Sequence, residues 1–188
     1  MNMEYQAIID KYYPEEDGGE HQSSALRRLL LKHSRQVADR CIKIVEKHPE
    51  LQLDAAFIEA AAMLHDIGIR WCHAPGICCH GTEPYIRPGL IGGELLRREG
   101  CDEAFARVCE RHTGTGLTRM QIENQQLPLP LQDFVPESVA EQVVCYADKF
   151  YSKSRPDRVL TVAEAAQSLE RFGREGVETF LAWAARFE

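Results

Sequence analysis

The apolar residues of this chain recur at intervals of three and four, the spacing that gathers side chains on one face of an α-helix. No stretch alternates apolar and polar residues for long enough to indicate a β-strand. The length of 188 residues suits one domain with a substantial core. The pattern therefore predicts an all-α fold. A single helical domain is expected over residues 21–188, with a helix and loop at residues 1–20 appended to it.

Several positions carry the sequence signals of helix starts. Asp54 precedes an apolar run, where its carboxylate can cap free backbone N–H groups. A capping box pairs a Ser or Thr with a Glu or Gln further along the first turn. Such pairs occur at Thr118 with Gln121 and at Thr161 with Glu164. These signals predict that helices begin at those places.

The apolar run that starts at Ala60 ends in His65 and Asp66, and Gly68 follows where a helix would stop. Imidazole and carboxylate groups in an apolar run are costly to bury unless something pairs with them. A divalent metal ion would satisfy both, because nitrogen and oxygen ligands together suit several transition metals. A His-Asp pair is also common at surfaces and helix ends, so partners elsewhere in the chain must decide.

Two other predicted helices bring such partners. His33 shares an apolar face of the helix predicted over residues 23–48, and Asp148 lies beside the apolar stripe of the helix predicted over residues 137–152. Taken alone, His33 has the pattern of a core histidine bonded to a backbone carbonyl. Taken together, the polar groups can all be ligands of one ion held between helices. The predicted metal ligands are His33, His65, Asp66 and Asp148.

The order of these residues resembles that of the HD-domain metal-dependent phosphohydrolases, in particular the subgroup marked His-Asp-Ile-Gly, which stands here at residues 65–68. In that family an early histidine precedes the pair and a late aspartate follows it, and His33 and Asp148 match these. The resemblance covers residues 33–153. It implies an all-helical fold, with the metal between helices, and hydrolysis of phosphate esters, often of nucleotides, by metal-bound water.

The ligand set suits that chemistry, because water bound to a divalent ion has a lowered pKa and can attack phosphorus near neutral pH. The expected cofactor is one divalent metal ion, either manganese, iron, cobalt, nickel or zinc. One ion is favoured over two, because Pro88 stands where some relatives in that family have a further histidine. The predicted catalytic residues are Asp66 and His112. His112 would assist the leaving oxygen; alternatively, it only ends its helix and meets the helix dipole there.

A phosphorylated substrate also needs fixed positive charge. Arg87 stands just before a predicted helix N-terminus, and the two together would form an anion site. Lys149 is a second candidate and Arg70 a third, and the alternative for each is a solvated surface charge. Many members of the family carry lysine where this chain has Ile69, so that contact is absent unless Arg70 replaces it.

The cysteines indicate the compartment. The segment from Cys72 to His80 looks like a metal-binding tract, but it lacks two separated Cys-x-x-Cys pairs, so reduced cysteines under a loop are favoured over a structural zinc site. The chain has seven cysteines, an acidic start without an apolar leader, and no apolar run of membrane-spanning length. These features predict a cytoplasmic protein.

The net charge of −7 argues against binding to a nucleic acid polymer, whose affinity depends on basic residues. A small ligand remains compatible, since a bound metal supplies positive charge locally. The expected partner is thus a small phosphorylated substrate, with no nucleic acid polymer and no membrane; the oligomeric state is open. The sequence predicts a metal-dependent phosphohydrolase acting on a nucleotide or other phosphomonoester. The alternatives are a metal-containing regulatory or binding module that has lost turnover, supported by Pro88 and Ile69, and a purely structural helical protein.

Overall fold

The computed structural model describes residues 5–15 and 21–188, and helices dominate this part of the chain. The helices are α1 (Tyr5–Tyr12), α2 (His21–Lys47), α3 (Ala55–Leu64), α4 (Pro88–Arg98), α5 (Glu103–Arg111), α6 (Arg119–Asn124), α7 (Val139–Asp148), α8 (Val162–Leu169) and α9 (Arg174–Phe187). Short 3-10 turns lie at Pro49–Leu51, Ile67–Trp71, Pro75–Ile77 and Glu170–Phe172. No described helix is both long enough and apolar enough to cross a bilayer.

Four strands accompany the helices: β1 (His73–Ala74), β2 (Cys79–His80), β3 (Tyr151–Ser152) and β4 (Arg155–Val159). They form two antiparallel two-stranded sheets, β1 with β2 and β3 with β4. The prediction of a purely all-α fold is therefore wrong. The cause is length, because β1, β2 and β3 have two residues each and cannot display an alternating pattern. The five residues of β4 include Pro156, which disguises that strand further.

The predicted helix starts are confirmed. Asp54 accepts hydrogen bonds from the N–H groups of Ala56 and Phe57 at the start of α3. Capping boxes open α6 and α8, formed by Thr118 with Gln121 and by Thr161 with Glu164. Each cap satisfies donors that the first turn of a helix leaves free.

The core lies around α2, which packs against α3 and α7, while α4 packs against α5 and the turn Ile67–Trp71. A group of buried rings stabilises the α7 side. The ring of Tyr146 lies 5.0 Å from Phe150, 5.1 Å from Phe180 and 5.5 Å from Phe187, measured between centroids. These separations are typical of favourable aromatic pairs, so α7 is held firmly where its last residue, Asp148, enters the site.

Helix α1 joins the same core through Ile9 and the residue after the helix, Tyr13, both of which are buried. The Tyr13 hydroxyl donates to the carbonyl of Ile67 at 2.8 Å and accepts from the N–H of Arg70 at 3.1 Å. The N-terminal segment thus braces the turn that directly follows His65 and Asp66. The division at residue 20 stays a prediction, and residues 1–4 and 16–20 lie outside the described part of the chain.

Candidate functional site

The four predicted metal ligands meet at one point inside the molecule. His33 comes from the middle of α2, His65 is the C-cap of α3, Asp66 opens the following turn, and Asp148 ends α7. One ligand atom from each residue lies within 4.8 Å of all the others, and all four side chains are buried. Three separate helices deliver them, so the fold itself builds the cluster.

Several atoms of the cluster are close without being hydrogen-bonded. His33 Nε2 lies 2.9 Å from Asp148 Oδ1 and 3.4 Å from Asp66 Oδ2, and His65 Nε2 lies 3.0 Å from Asp66 Oδ2. Nevertheless, the two Nε2 atoms are buried without a hydrogen-bond partner, and Asp66 Oδ2 has an ion pair only with a lysine outside the cluster, Lys153. Atoms that converge in this way face a common point instead of each other. Their number and chemistry fit a cation of the N/O-ligated class.

Backbone carbonyls fix two of the imidazole rings. His65 Nδ1 lies 2.7 Å from the carbonyl oxygen of Ala62, and His112 Nδ1 lies 2.7 Å from that of Cys109. A carbonyl only accepts, so each Nδ1 carries the proton and donates it. When these rings are neutral, their Nε2 atoms present lone pairs toward the cluster, and a hydrogen bond from Nδ1 to a carbonyl gives metal-binding histidines this same orientation.

His112 follows α5 and lies beside the four ligands. Its Nε2 is 3.5 Å from Asp66 Oδ1, and its ring meets the His65 ring edge-on at 4.9 Å between centroids. Burial lowers the pKa of His112 and outweighs the opposing effect of Asp66. The imidazole is therefore neutral near pH 7 and can accept a proton or complete a ligand set.

Two lysines flank the carboxylates. Lys149, a predicted substrate-binding residue, donates to Asp148 Oδ2 at 2.7 Å and to the carbonyl oxygen of His112 at 2.7 Å. Lys153, in the β3–β4 turn, forms an ion pair with Asp66 Oδ2. The sequence reasoning missed Lys153, because a lysine in a polar turn carries no periodic signal and only the hairpin brings it back to Asp66.

These charges keep the buried carboxylates ionised. Burial alone would raise the pKa of Asp66, but Lys153 and His65 reverse that effect and hold it well below its usual range. The pKa of Asp148 is also held well below its usual range, by the charge of Lys149 and by the nearby imidazoles of His33 and His65, which outweigh the effect of burial. Burial would lower the pKa of His65, yet Asp66 and Asp148 raise it to about 9.

The remaining candidates lie elsewhere. Arg87 pairs with Glu83, with Nη1 2.6 Å from Oε2, and does not line the space over the cluster. Arg70 donates to the carbonyl oxygen of Tyr12 at 2.5 Å. In the segment from Cys72 to His80, both Cys72 and Cys79 are buried. Among the described residues, only the His33, His65, Asp66 and Asp148 group brings three or more metal-ligand side chains together.

An open cleft of about 860 Å³ lies over the cluster and runs past the β3–β4 hairpin. A smaller space that reaches Asp66 and His112 adjoins it and shares several lining residues. Five basic side chains line the larger part: Lys149, Lys153, Arg155, Arg158 and Arg171. Only two acidic side chains, Asp148 and Glu164, stand against them. The cleft is therefore basic although the whole chain is acidic.

Two named relatives are tRNA methyltransferases. The tRNA (cytidine(56)-2'-O)-methyltransferase of Picrophilus torridus is 30% identical over 162 residues, which are 85% of this chain and 42% of that protein. The enzyme of the same name from Thermoplasma volcanium is 27% identical over 158 residues, 84% of this chain and 41% of that protein. The chain thus spans about two fifths of the length of these relatives.

A third relative, an uncharacterized protein of Methanocaldococcus jannaschii, is 32% identical over 124 residues, 61% of this chain and 66% of that protein. No family model matches the chain. No solved structure matches it either.

The comparisons contradict the predicted family and reaction. The relatives with a named activity are methyltransferases, not HD-domain phosphohydrolases, and neither hydrolysis of a small phosphorylated compound nor the alternative of a module without turnover is supported. The inference failed because a few ligand-type residues in a given order constrain the local geometry of a site without fixing the reaction of the protein around it.

The predicted cofactor and partners are corrected with them. A methyl transfer takes its methyl group from a donor such as S-adenosylmethionine, so the comparisons do not support a divalent metal ion as the cofactor. The prediction of a small phosphorylated partner and no nucleic acid conflicts with relatives named for tRNA. The charge argument failed because the net charge of −7 averages over the whole chain and conceals a basic cleft.

Proposed function

We propose that this chain takes part in 2'-O-methylation of tRNA and that its basic cleft is the surface that contacts the RNA. Two relatives are named as enzymes that act on tRNA, and we take tRNA as the partner of this chain as well. The observation that carries the proposal is the excess of five basic over two acidic side chains along the cleft. The two relatives named as methyltransferases are more than twice as long as this chain. We therefore assign to this chain contact with the RNA, and not the whole transfer reaction. Its location would be the cytoplasm.

The cations of the cleft differ in how free they are to bind phosphate. Lys149 and Lys153 are engaged with Asp148 and Asp66, and Arg158 Nη2 lies 2.5 Å from Glu164 Oε1. Arg155 and Arg171 are exposed, and neither has an ion pair within the described ranges 5–15 and 21–188. A guanidinium in that state can donate two parallel hydrogen bonds to a phosphate.

The acidic residues elsewhere on the surface do not cancel this attraction. Charges farther apart than the Debye length, about 8 Å at physiological salt, are largely screened from each other. A phosphate in the cleft therefore responds mainly to the side chains that line it. This is how a chain with a net charge of −7 can still attract a polyanion at one place.

Reversing both free arginines tests the proposal. In the Arg155→Glu, Arg171→Glu variant we expect the Kd for unmodified tRNA to rise by about 30-fold or more at low salt, because two phosphate contacts become repulsive. The slope of log Kd against log salt should fall by about 2. Fluorescence anisotropy of end-labelled tRNA over a salt series measures both quantities, and a denaturing gel establishes that the RNA stays intact.

The matched control is Arg28→Glu, Lys43→Glu, which changes the net charge equally at two exposed residues of α2 that do not line the cleft. It should bind tRNA within about threefold of the wild type, since distant charges are screened. Equal weakening in both variants would assign the effect to net charge and contradict RNA contact at the cleft. A wild-type chain that failed to bind tRNA at low salt would reject the proposal.

We further propose, apart from the question of a cofactor, that His33, His65, Asp66 and Asp148 bind a cation. The support is that the four ligand groups converge on one point and that the Nε2 atoms of His33 and His65 are buried there without a hydrogen-bond partner. Next to the cleft, a cation would add positive charge for a phosphate or ribose oxygen.

Replacing His33 by alanine should remove this binding. Isothermal titration with Mn²⁺, after treatment with a chelator, should show binding to the wild type and an affinity reduced by about 10-fold or more in His33→Ala. His48→Ala is the matched control. His48 directly follows α2, the helix that carries His33, but it lies outside the cluster and pairs with Glu50. Unchanged Mn²⁺ affinity in His33→Ala would refute the ligand assignment.

A further inference from the structure

We infer that Tyr85 is a stacking platform for an unpaired base of the bound RNA. This inference rests on the proposed function, and it adds the form of RNA that the cleft takes. Tyr85 lines both the larger part of the cleft and the smaller part that reaches Asp66 and His112. It therefore stands where the two spaces join, directly on the route from the basic rim to the buried cluster.

The Tyr85 ring is exposed where most aromatic rings of the chain are packed. Tyr85 is 47% exposed, and within the described residues neither another aromatic ring nor a cation contacts its ring. Phe172, the other aromatic residue shared by both parts of the cleft, already carries the Arg171 guanidinium 4.8 Å from its ring centroid. Tyr85 is thus the ring that remains open to a ligand at this junction.

The surroundings of Tyr85 suit a nucleotide. A tyrosine hydroxyl is neutral at physiological pH, so the ring carries no charge that would repel a phosphate. Lys153, Lys149 and Arg171 line the same space and give it positive charge. An aromatic face next to cations is the combination by which proteins bind single strands, with bases stacking on the ring and phosphates meeting the charges.

This arrangement selects unpaired RNA. In an A-form duplex the bases stack on each other, and proteins contact it mainly through phosphates and ribose hydroxyls. A loop or single strand can turn a base outward onto an aromatic side chain. The cleft should therefore prefer a single strand over a duplex of the same sequence, and Tyr85 should account for that preference.

The experiment compares Tyr85→Leu, which removes the aromatic face, with Tyr85→Phe, which keeps it. The probes are an end-labelled single-stranded RNA of ten cytidines, the same strand paired with ten guanosines, and cytidine 5'-monophosphate as competitor. We expect Tyr85→Leu to weaken single-strand binding by about 5- to 100-fold, the loss seen when one stacked base is released. Tyr85→Phe should restore binding to within about threefold of the wild type, and duplex binding should respond to neither change.

The outcomes separate this inference from the proposed function. If Tyr85→Leu bound the single strand as the wild type does, while reversal of Arg155 and Arg171 still weakened tRNA binding as expected, the stacking role would be rejected and RNA contact would stand. Equal losses for duplex and single strand would also reject it. If free cytidine 5'-monophosphate bound as tightly as the oligonucleotide, the ligand would be a mononucleotide and not RNA. Unchanged circular dichroism and Tm establish that Tyr85→Leu is folded.

Discussion

Replacing Gly68 by alanine is expected to lower the free energy of unfolding by about 3 kcal/mol, the upper range for inserting a methyl group into packed structure. A Cβ atom at Gly68 would lie 2.1 Å from the carbonyl oxygen of Pro88 and 2.6 Å from the backbone nitrogen of Gly92. Both are backbone atoms of α4, so no flexible side chain can move aside. The helix itself would have to retreat from the turn that carries Asp66.

Thermal and urea denaturation measure this effect. For a chain of this size, a loss of about 3 kcal/mol corresponds to a Tm lower by about 6–12 °C. Gly76→Ala is the matched control, because a Cβ there meets nothing within 4 Å. It should leave the Tm unchanged or slightly higher. Equal Tm values for both variants would show that α4 does not press on the turn as closely as the distances indicate.

The cluster could be found from the sequence, whereas its surroundings could not. The sequence identified four residues that lie on or beside an apolar helical stripe, namely His33, His65, Asp66 and Asp148. A polar group there is costly to bury unless it has a partner. Helical periodicity fixes which way such a residue faces, and that information is local. The convergence of these four residues follows from the packing of α2, α3 and α7 around one core.

Contacts that depend on chain reversals left no such signal. The β3–β4 hairpin is too short to alternate, and yet it alone returns Lys153 to Asp66. Arg87 had the sequence context of an anion site, but it forms an ion pair with Glu83, four residues earlier in the chain. The five basic side chains of the cleft all lie within residues 149–171, and a net charge summed over the whole chain conceals this local excess. The predicted reaction is contradicted by the names of the relatives, since a reaction depends on the ligands and partners of a site more than on its fold.

Replacing Lys153 by methionine is expected to destabilise the metal-free protein by about 3–5 kcal/mol. Lys153 forms an ion pair with Asp66, whose side chain is 3% exposed, and methionine keeps the length of the side chain but removes its charge. Asp66 would then lie buried beside three imidazoles, of which His65 and His33 already face Asp148 and His112 is neutral near pH 7. A buried charge that loses its partner costs far more than the pair as a whole contributes.

A double-mutant cycle isolates that interaction. The Asp66→Asn, Lys153→Met protein should be more stable than the sum of the two single losses predicts, with a coupling of about 1–3 kcal/mol, because the double variant leaves neither charge unpaired. Lys43→Met is the control, since Lys43 is exposed on α2 and should change stability by less than about 0.5 kcal/mol. Urea denaturation in the presence of a chelator provides all four free energies.

The same variant reports on the cation proposed for the cluster. Without Lys153, the site has one positive charge fewer beside Asp66, so Mn²⁺ should bind more tightly and raise the Tm of Lys153→Met more than that of the wild type. The Asp66→Asn, Lys153→Met protein should show no such gain, because it lacks the carboxylate that the ion would take. A Lys153→Met protein as stable as the wild type in chelator would mean that water reaches Asp66 and that Lys153 is not its principal counter-charge. Stabilisation by Mn²⁺ that persisted in the double variant would place the ion outside the cluster of His33, His65, Asp66 and Asp148.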